Sequence, residues 1–401
     1  MKKLILLFII ANFGFFMFAQ EKPTYKAYWS NGMKVESSDG AFKFKFGGRV
    51  QNDWAAFFED DGIKDSIGAS ANGTEFRRAR LFSSGQIYHN VKYKLQLDFG
   101  GGAVKLKDAY IMITKIPVIG FIQIGHFKEP MGFEEITSSK YITFMERSLT
   151  AENVPSRNTG FLIGNSTSGE RLSFNLGVFK DADSYGNVKG LQDKYNVTAR
   201  VYGLPVYDAD NNKILHLGAA YSYRNQQNNE YEFESGPEAH LANDYLSTGT
   251  VTDAKTLQLI QAEAVFISGS LSLKSEMVHS RVDIGDSPSR IDFNHTAFSG
   301  MASYFLTGES KKYATSGEFS RVKPKRNFDG QGGVGAWEVA LRYSAMNLNS
   351  TVVRGGELGN ITFGLNWYLN PATRIMTNYI YSDLKGVGKA NIVQMRFQVD
   401  F

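Results

Sequence analysis

The last eleven residues of the chain, from Asn391 to Phe401, put Val393, Met395, Phe397, Val399 and Phe401 on one parity and Gln394, Arg396, Gln398 and Asp400 on the other. That is the period of a strand with one oily and one polar face. A strand of about 9–11 tilted residues is long enough to cross a bilayer. An aromatic carboxyl terminus on such a strand points to a membrane barrel that closes on its last segment.

The same alternation recurs along the chain. Phe42, Phe44 and Phe46 alternate with Lys43 and Lys45, and beyond Gly47-Gly48 the parity continues through Val50, Trp54, Ala56 and Phe58. Further segments span about 74–88, 91–99, 104–115, 121–128, 161–166, 171–180, 195–206, 214–226, 252–267, 269–284, 290–308, 337–348, 356–369 and 373–384, which with the first and last gives roughly sixteen strands. An even count is what bacterial barrels require. With both termini periplasmic, gaps after odd strands lie outside the cell, and 59–73, 129–160, 181–194 and 227–251 are long, whereas 89–90, 167–170, 268 and 370–372 are tight. Long outer loops and short inner turns are the barrel signature. The stretch 309–336 is the exception, long yet on the inner side: either the count slips there or the segment folds back into the lumen. No repeat period or linker supports a soluble sandwich or propeller instead.

The amino terminus reads as a signal peptide over residues 1–19: Lys2 and Lys3, an apolar core from Leu4 to Phe18, and Ala19 at the cleavage point. Residues 20–40 read as a polar periplasmic lead-in and 41–401 as the barrel. The chain has no Cys, so no disulfide framework holds the exported product together. Removing the two signal lysines from 44 basic residues leaves 42 against 40 acidic ones. So balanced a chain is not a general nucleic-acid binder, and charge acts here by placement.

Parity places it. Lys92 and Lys94 alternate with Val91, Tyr93 and Leu95, and an Arg or Lys facing lipid at the midplane costs about 2–4 kcal/mol, so these lysines face the lumen. The rule sends Lys43, Lys45, Arg49, Arg78, Arg80, Arg171, Arg200, Arg224, Lys274, Arg342 and Arg396 inward with fewer acids, among them Asp53, Asp98, Asp108, Glu263, Glu276, Glu338 and Asp400. A lumen so lined favours anions, although such arginines also pair with acids simply to brace a wall. Arg77 breaks parity beside Arg78 and requires a bulge, an interfacial height or an inward turn of the backbone. The gap 129–160 is far longer than a hairpin connection and is the third outer loop. Folded inward, its Ser138, Ser139 and Lys140 would narrow the pore and replace part of an anion's hydration shell. The expected fold is thus all-β, a transmembrane antiparallel β-barrel of about sixteen strands with an inward-folded third outer loop.

Several stretches together resemble the phosphate-selective porins O and P of Gram-negative outer membranes. They are Phe-Gly-Gly-Arg-Val-Gln at 46–51, Glu-Phe-Arg-Arg-Ala-Arg at 75–80, Phe-Lys-Glu-Pro-Met-Gly at 127–132, Thr-Ser-Ser-Lys at 137–140 and Thr-Phe-Met-Glu-Arg at 143–147. Later come Leu-Thr-Gly-Glu-Ser at 306–310, Arg-Val-Lys-Pro-Lys-Arg at 321–326, Gly-Ala-Trp-Glu-Val-Ala-Leu-Arg-Tyr-Ser at 335–344 and Gly-Leu-Asn-Trp-Tyr-Leu-Asn-Pro at 364–371. The resemblance covers essentially the whole mature chain. It implies a homotrimeric outer-membrane porin in which stacked arginines and an inward third loop lead phosphate or related small anions to a lysine-bearing constriction. Arg77 and Arg78 fall on the family's paired-arginine motif and Arg49 on its glycine-arginine motif, while Lys128, Ser138, Ser139 and Lys140 resemble the constriction donors. The implied partners are small anions and outer-membrane lipid, with no nucleic acid and no cofactor.

Other classes find less support. Gly164-Asn-Ser166-Thr-Ser168 lacks the last glycine and the helix of a nucleophile elbow, and the six histidines show no ligand-type spacing, so neither an enzyme nor a metal site is expected. A non-selective anion porin and a plugged structural or adhesive barrel remain as alternatives.

Overall fold

The computed structural model describes residues 22–188, 194–286 and 291–401. The signal peptide, and Arg290 at the start of one expected strand, lie outside the described residues.

Sixteen strands form the wall: β1 (Lys43–Glu59), β2 (Gly73–Ile87), β3 (Val91–Asp98), β4 (Lys105–Ile116), β5 (Gly120–Lys128), β6 (Arg157–Ser166), β7 (Leu172–Lys180), β8 (Asn196–Asp208), β9 (Lys213–Asn225), β10 (Ala254–Ser268), β11 (Leu271–Ile284), β12 (Ile291–Phe305), β13 (Ala336–Asn349), β14 (Arg354–Asn370), β15 (Thr373–Leu384) and β16 (Gly388–Asp400). Each pairs antiparallel with its neighbours, and β16 returns to β1 from Ala390↔Glu59 to Asp400↔Arg49, which closes the barrel and leaves no edge along that wall. The closing strand shows why. Val393, Met395, Phe397 and Val399 stand outward, 38–45% exposed, while Gln394, Arg396, Gln398 and Asp400 are buried inside.

Two departures from simple alternation matter. Between β1 and β2 the register steps from Gln51↔Arg78 to Asn52↔Phe76, so Arg77 is an extra residue. Between β3 and β4 it steps from Gln96↔Asp108 to Leu97↔Leu106, so Lys107 is extra in the same way. A bulge lets two successive side chains face one side of a sheet.

Part of the 20–40 segment, from residue 22 onward, is described, and it contains two strands. Tyr25–Trp29 and Met33–Ser37 form a hairpin, and its second strand pairs with the start of β1 from Met33↔Phe46 to Glu36↔Lys43. The stretch after β12 keeps the strand count and turns back into the barrel. Its two short strands, Lys312–Ala314 and Glu318–Ser320, present the turn carbonyls of Thr315 and Gly317 to Tyr202 Oη and Arg200 Nη2, each at 2.9 Å.

The connection between β5 and β6 carries two one-turn helices, α1 (Phe133–Ile136) and α2 (Leu149–Glu152). Inward side chains of β13–β15 bind its backbone. Arg374 donates to Ile142 O at 2.8 Å, Asn366 to Thr143 O at 2.8 Å and Arg342 to Glu146 O at 3.0 Å, while Asn378 accepts from Met145 N at 2.8 Å. Phe133 and Phe144 pack on inward Leu204, Ile214, Val265 and Met301, and Leu149 packs on Ala297 and Met346. The inner wall is therefore partly apolar where protein covers it, a departure from the all-polar lumen that alternation alone implies.

Candidate functional site

On the β1–β8 side the interior stays open as a cavity of about 780 Å³. Its lining holds eleven basic side chains and five acidic ones, and the strands supply most of the bases. The bulge at Arg77 lets it and Arg78 both point inward. Arg77 donates to Glu146 through Nε at 3.0 Å and Nη2 at 3.1 Å, and Arg78 Nη2 lies 3.5 Å from the same carboxylate. Arg396 adds a third guanidinium to Glu146 at 2.6 Å and also binds Asp53. Two carboxylates thus serve three arginines.

The pattern repeats around the cavity. Asp108 serves both Lys94 at 2.7 Å and Arg157 at 3.0 Å. Glu135 serves Lys128 at 3.3 Å and Arg147 at 3.0 Å. Each node keeps one positive charge uncompensated, which distinguishes it from a one-to-one brace such as Arg80–Asp98 at 2.6 Å or Arg200–Glu263 at 2.6 Å. Two cations of the cavity lining have no carboxylate partner among the described residues. Arg49 donates through Nη1 to Ser139 Oγ at 2.6 Å and Ser138 Oγ at 3.3 Å. Lys107, turned inward by the second bulge, lines the cavity without a hydrogen bond or ion pair among the described residues.

Lys140 sits 3.5 Å from Asp400 and faces the rings of Phe82 and Tyr141 at 5.8 and 5.3 Å. Burial outweighs the pull of Asp400, and with Arg49 and Arg321 nearby its ammonium is pushed down to about 7. Glu152 is open to the cavity, yet the surrounding walls desolvate it, and Glu135 and Glu146 add repulsion, so its carboxyl is pushed up to about 7.

Of the ten residues expected from sequence, the cavity gathers Arg49, Arg77, Arg78, Arg80, Lys94, Lys128, Ser138, Ser139 and Lys140. Lys92 is not among them; it is exposed on the second residue of β3, next to the 88–90 turn and away from the cavity. Its parity is right and its height is wrong. Lys107, Arg147 and Arg157 also belong to the lining, beyond the site residues expected from sequence. For Lys107 a signal existed: outward apolar parity runs through Val104 and Leu106, then switches to Ala109, Ile111 and Ile113, which marks a bulge at 107–108. Among the described residues no cluster of three or more His, Asp or Glu is placed to hold a metal ion.

In sequence the chain is 27% identical to Porin O of Pseudomonas aeruginosa over 387 residues, covering 87% of this chain and 85% of that one. In structure it is similar to an anion-selective porin from Comamonas acidovorans, with TM-score 0.54 and 14% identity over 90% of this chain and 100% of that one. It is also similar to in-vitro folded OmpT of Vibrio cholerae in its trimer form, with TM-score 0.53 and 11% identity over 90% of this chain and 100% of that one. At those identities the structural likeness speaks for the fold alone. The family model for phosphate-selective porin O and P matches residues 44–401, nearly all of the described barrel, and the chain belongs to that family.

Proposed function

We propose that this outer-membrane barrel of a Gram-negative bacterium passes small anions by passive diffusion, with phosphate or a related oxyanion as preferred solute. One observation carries the reading: Asp108 and Glu135 in the cavity lining, and Glu146 next to it, each serve two or three bases, so positive charge is left over at those nodes and on Arg49 and Lys107. A multiply charged oxyanion gains several charge-assisted hydrogen bonds there, while shared donors and a hydrated cavity keep the binding weak enough for release. Ser138, Ser139 and Lys140 bring hydroxyl and ammonium donors to the same space, so the 129–156 connection acts as the narrowing element. The assembly is taken to be a homotrimer, in line with the trimer form of the related fold. Nothing in this chemistry calls for a catalytic group or a cofactor.

Titrating phosphate into a chloride bath during single-channel recording tests the preference. Chloride current should fall saturably with phosphate, and an Arg49→Ala, Lys107→Ala protein should need more phosphate for the same block. Chloride current indifferent to phosphate would leave a general anion pore and remove the oxyanion site.

A pH dependence follows from Lys140 and Glu152. Lys140 is charged below about 7 and neutral above it, and Glu152 is neutral below about 7 and charged above it. Both changes subtract positive charge as pH rises. Anion preference should therefore decline between about pH 6 and about pH 8, and a Lys140→Met, Glu152→Gln protein should show a markedly shallower profile over that window. An equally steep profile in the double variant would assign the titration to other groups.

A further inference from the structure

The amino-terminal hairpin carries the barrel's two faces past the closing strand. Met33 pairs with Phe46 and with Trp29, and Val35 pairs with Phe44 and with Ala27, so these residues share one face of the extended sheet. In β1 that face continues through Val50, Trp54 and Phe58, the outward face of the wall. Trp29 is 67% exposed, Tyr25 60% and Met33 44%. The opposite face holds Lys26, Tyr28, Lys34 and Glu36, with both ammonium groups within 6 Å of the Tyr28 ring. The hairpin is held in place at its turn. Gly32 has φ +119°, and a Cβ there would lie 2.6 Å from Phe46 O and 3.3 Å from the backbone of Phe401, so the chain passes tight under the carboxyl terminus.

We propose that the outward face of this hairpin seats in the periplasmic phospholipid leaflet, as a continuation of the lipid-facing wall. The argument is continuity. A face in register with lipid-facing residues, bearing Trp, Tyr and Met and backed by charge only on its other side, has the composition of an interfacial belt. A hairpin standing in the periplasm would leave that apolar face in water.

The test uses the full-length barrel with Trp54, Trp337 and Trp367 changed to Phe, reconstituted in phosphatidylcholine vesicles with and without bromine on the acyl chains near the headgroup. Trp29 should emit to the blue of free tryptophan and lose roughly twofold intensity in the brominated vesicles. A companion protein with Trp29→Phe and Tyr28→Trp in the same background should show red-shifted, unquenched emission, because position 28 faces the other side. Unquenched red emission from Trp29 would place the hairpin in water, and unquenched blue emission would place it against another protein surface; either result overturns the proposal. If the triple replacement folds poorly, the brominated-vesicle quenching lost on Trp29→Phe in the otherwise unchanged protein reads the same quantity, and no loss overturns it.

Discussion

Shortening the connection between β5 and β6 to a tight turn should raise single-channel conductance severalfold while the barrel still closes. The wall needs none of that segment for its ladder, since β5 pairs with β6 from Gly120 to Lys128 and every other strand has its own two neighbours. The residues left behind are the inward Arg342, Arg374, Asn366 and Asn378, which now bind loop carbonyls and an amide. In a dry core such orphaned groups would cost about 1–3 kcal/mol each. Here water enters the space the segment vacates and takes over those bonds. Phe133, Phe144 and Leu149 depart with the segment, so the apolar wall residues they cover become wet, and some thermal stability is lost with them. Conductance of the shortened barrel equal to that of the full chain would mean that the segment does not narrow the conducting path.

Glu146→Gln should produce the largest loss of stability of any single change in the cavity. The carboxylate accepts from Arg77 and Arg396 and pairs with Arg78, and the glutamine removes its charge while keeping its shape. Arg396 then keeps Asp53, while Arg77 and Arg78 lose the carboxylate they are paired with. Breaking a buried ion pair from one side costs about 3–5 kcal/mol, and all three arginines are under a quarter exposed. The expected result is a clear drop in the unfolding temperature of the detergent-solubilised barrel. Phosphate should recover part of the loss, because an anion that binds the folded barrel at the vacated charge stabilises it by mass action. An unchanged unfolding temperature would mean that the three arginines find their counter-charge elsewhere.

How much of this is legible in sequence divides along physical lines. The wall is legible because a strand with lipid on one side must alternate, and the segments from Phe42 to Phe401 correspond one for one to β1–β16. The inward course of Arg78, Arg80, Lys94 and Arg49 follows from the same constraint. Bulges are legible only where apolar parity flips, as from Phe76 to Ala79 and from Leu106 to Ala109. Counted back from Ala109 and Ile111, alternation puts Lys107 on the lipid side, and the switch of parity at Leu106 brings it in beside Asp108. Parity says nothing of height, which is why Lys92 points the right way and still lies away from the cavity.

The interior on the β8–β16 side is not legible from a two-faced strand at all. Ile214, Val265, Ile380 and Ile392 face inward and are buried because a loop covers them, and that cover is a tertiary fact. The same holds for carboxylate sharing. Glu146 meets Arg396 across 250 residues of sequence, and only the folded connection shows that one acid serves three bases.

The zero-current potential of the purified barrel in a planar bilayer across a potassium chloride gradient tests the central claim most directly. Surplus positive charge on the cavity wall predicts the sign set by chloride, with anion preference reduced when Arg49 and Lys107 are both replaced by alanine. A potential with the sign set by potassium, or a bilayer that carries no current with correctly inserted protein, would contradict the account.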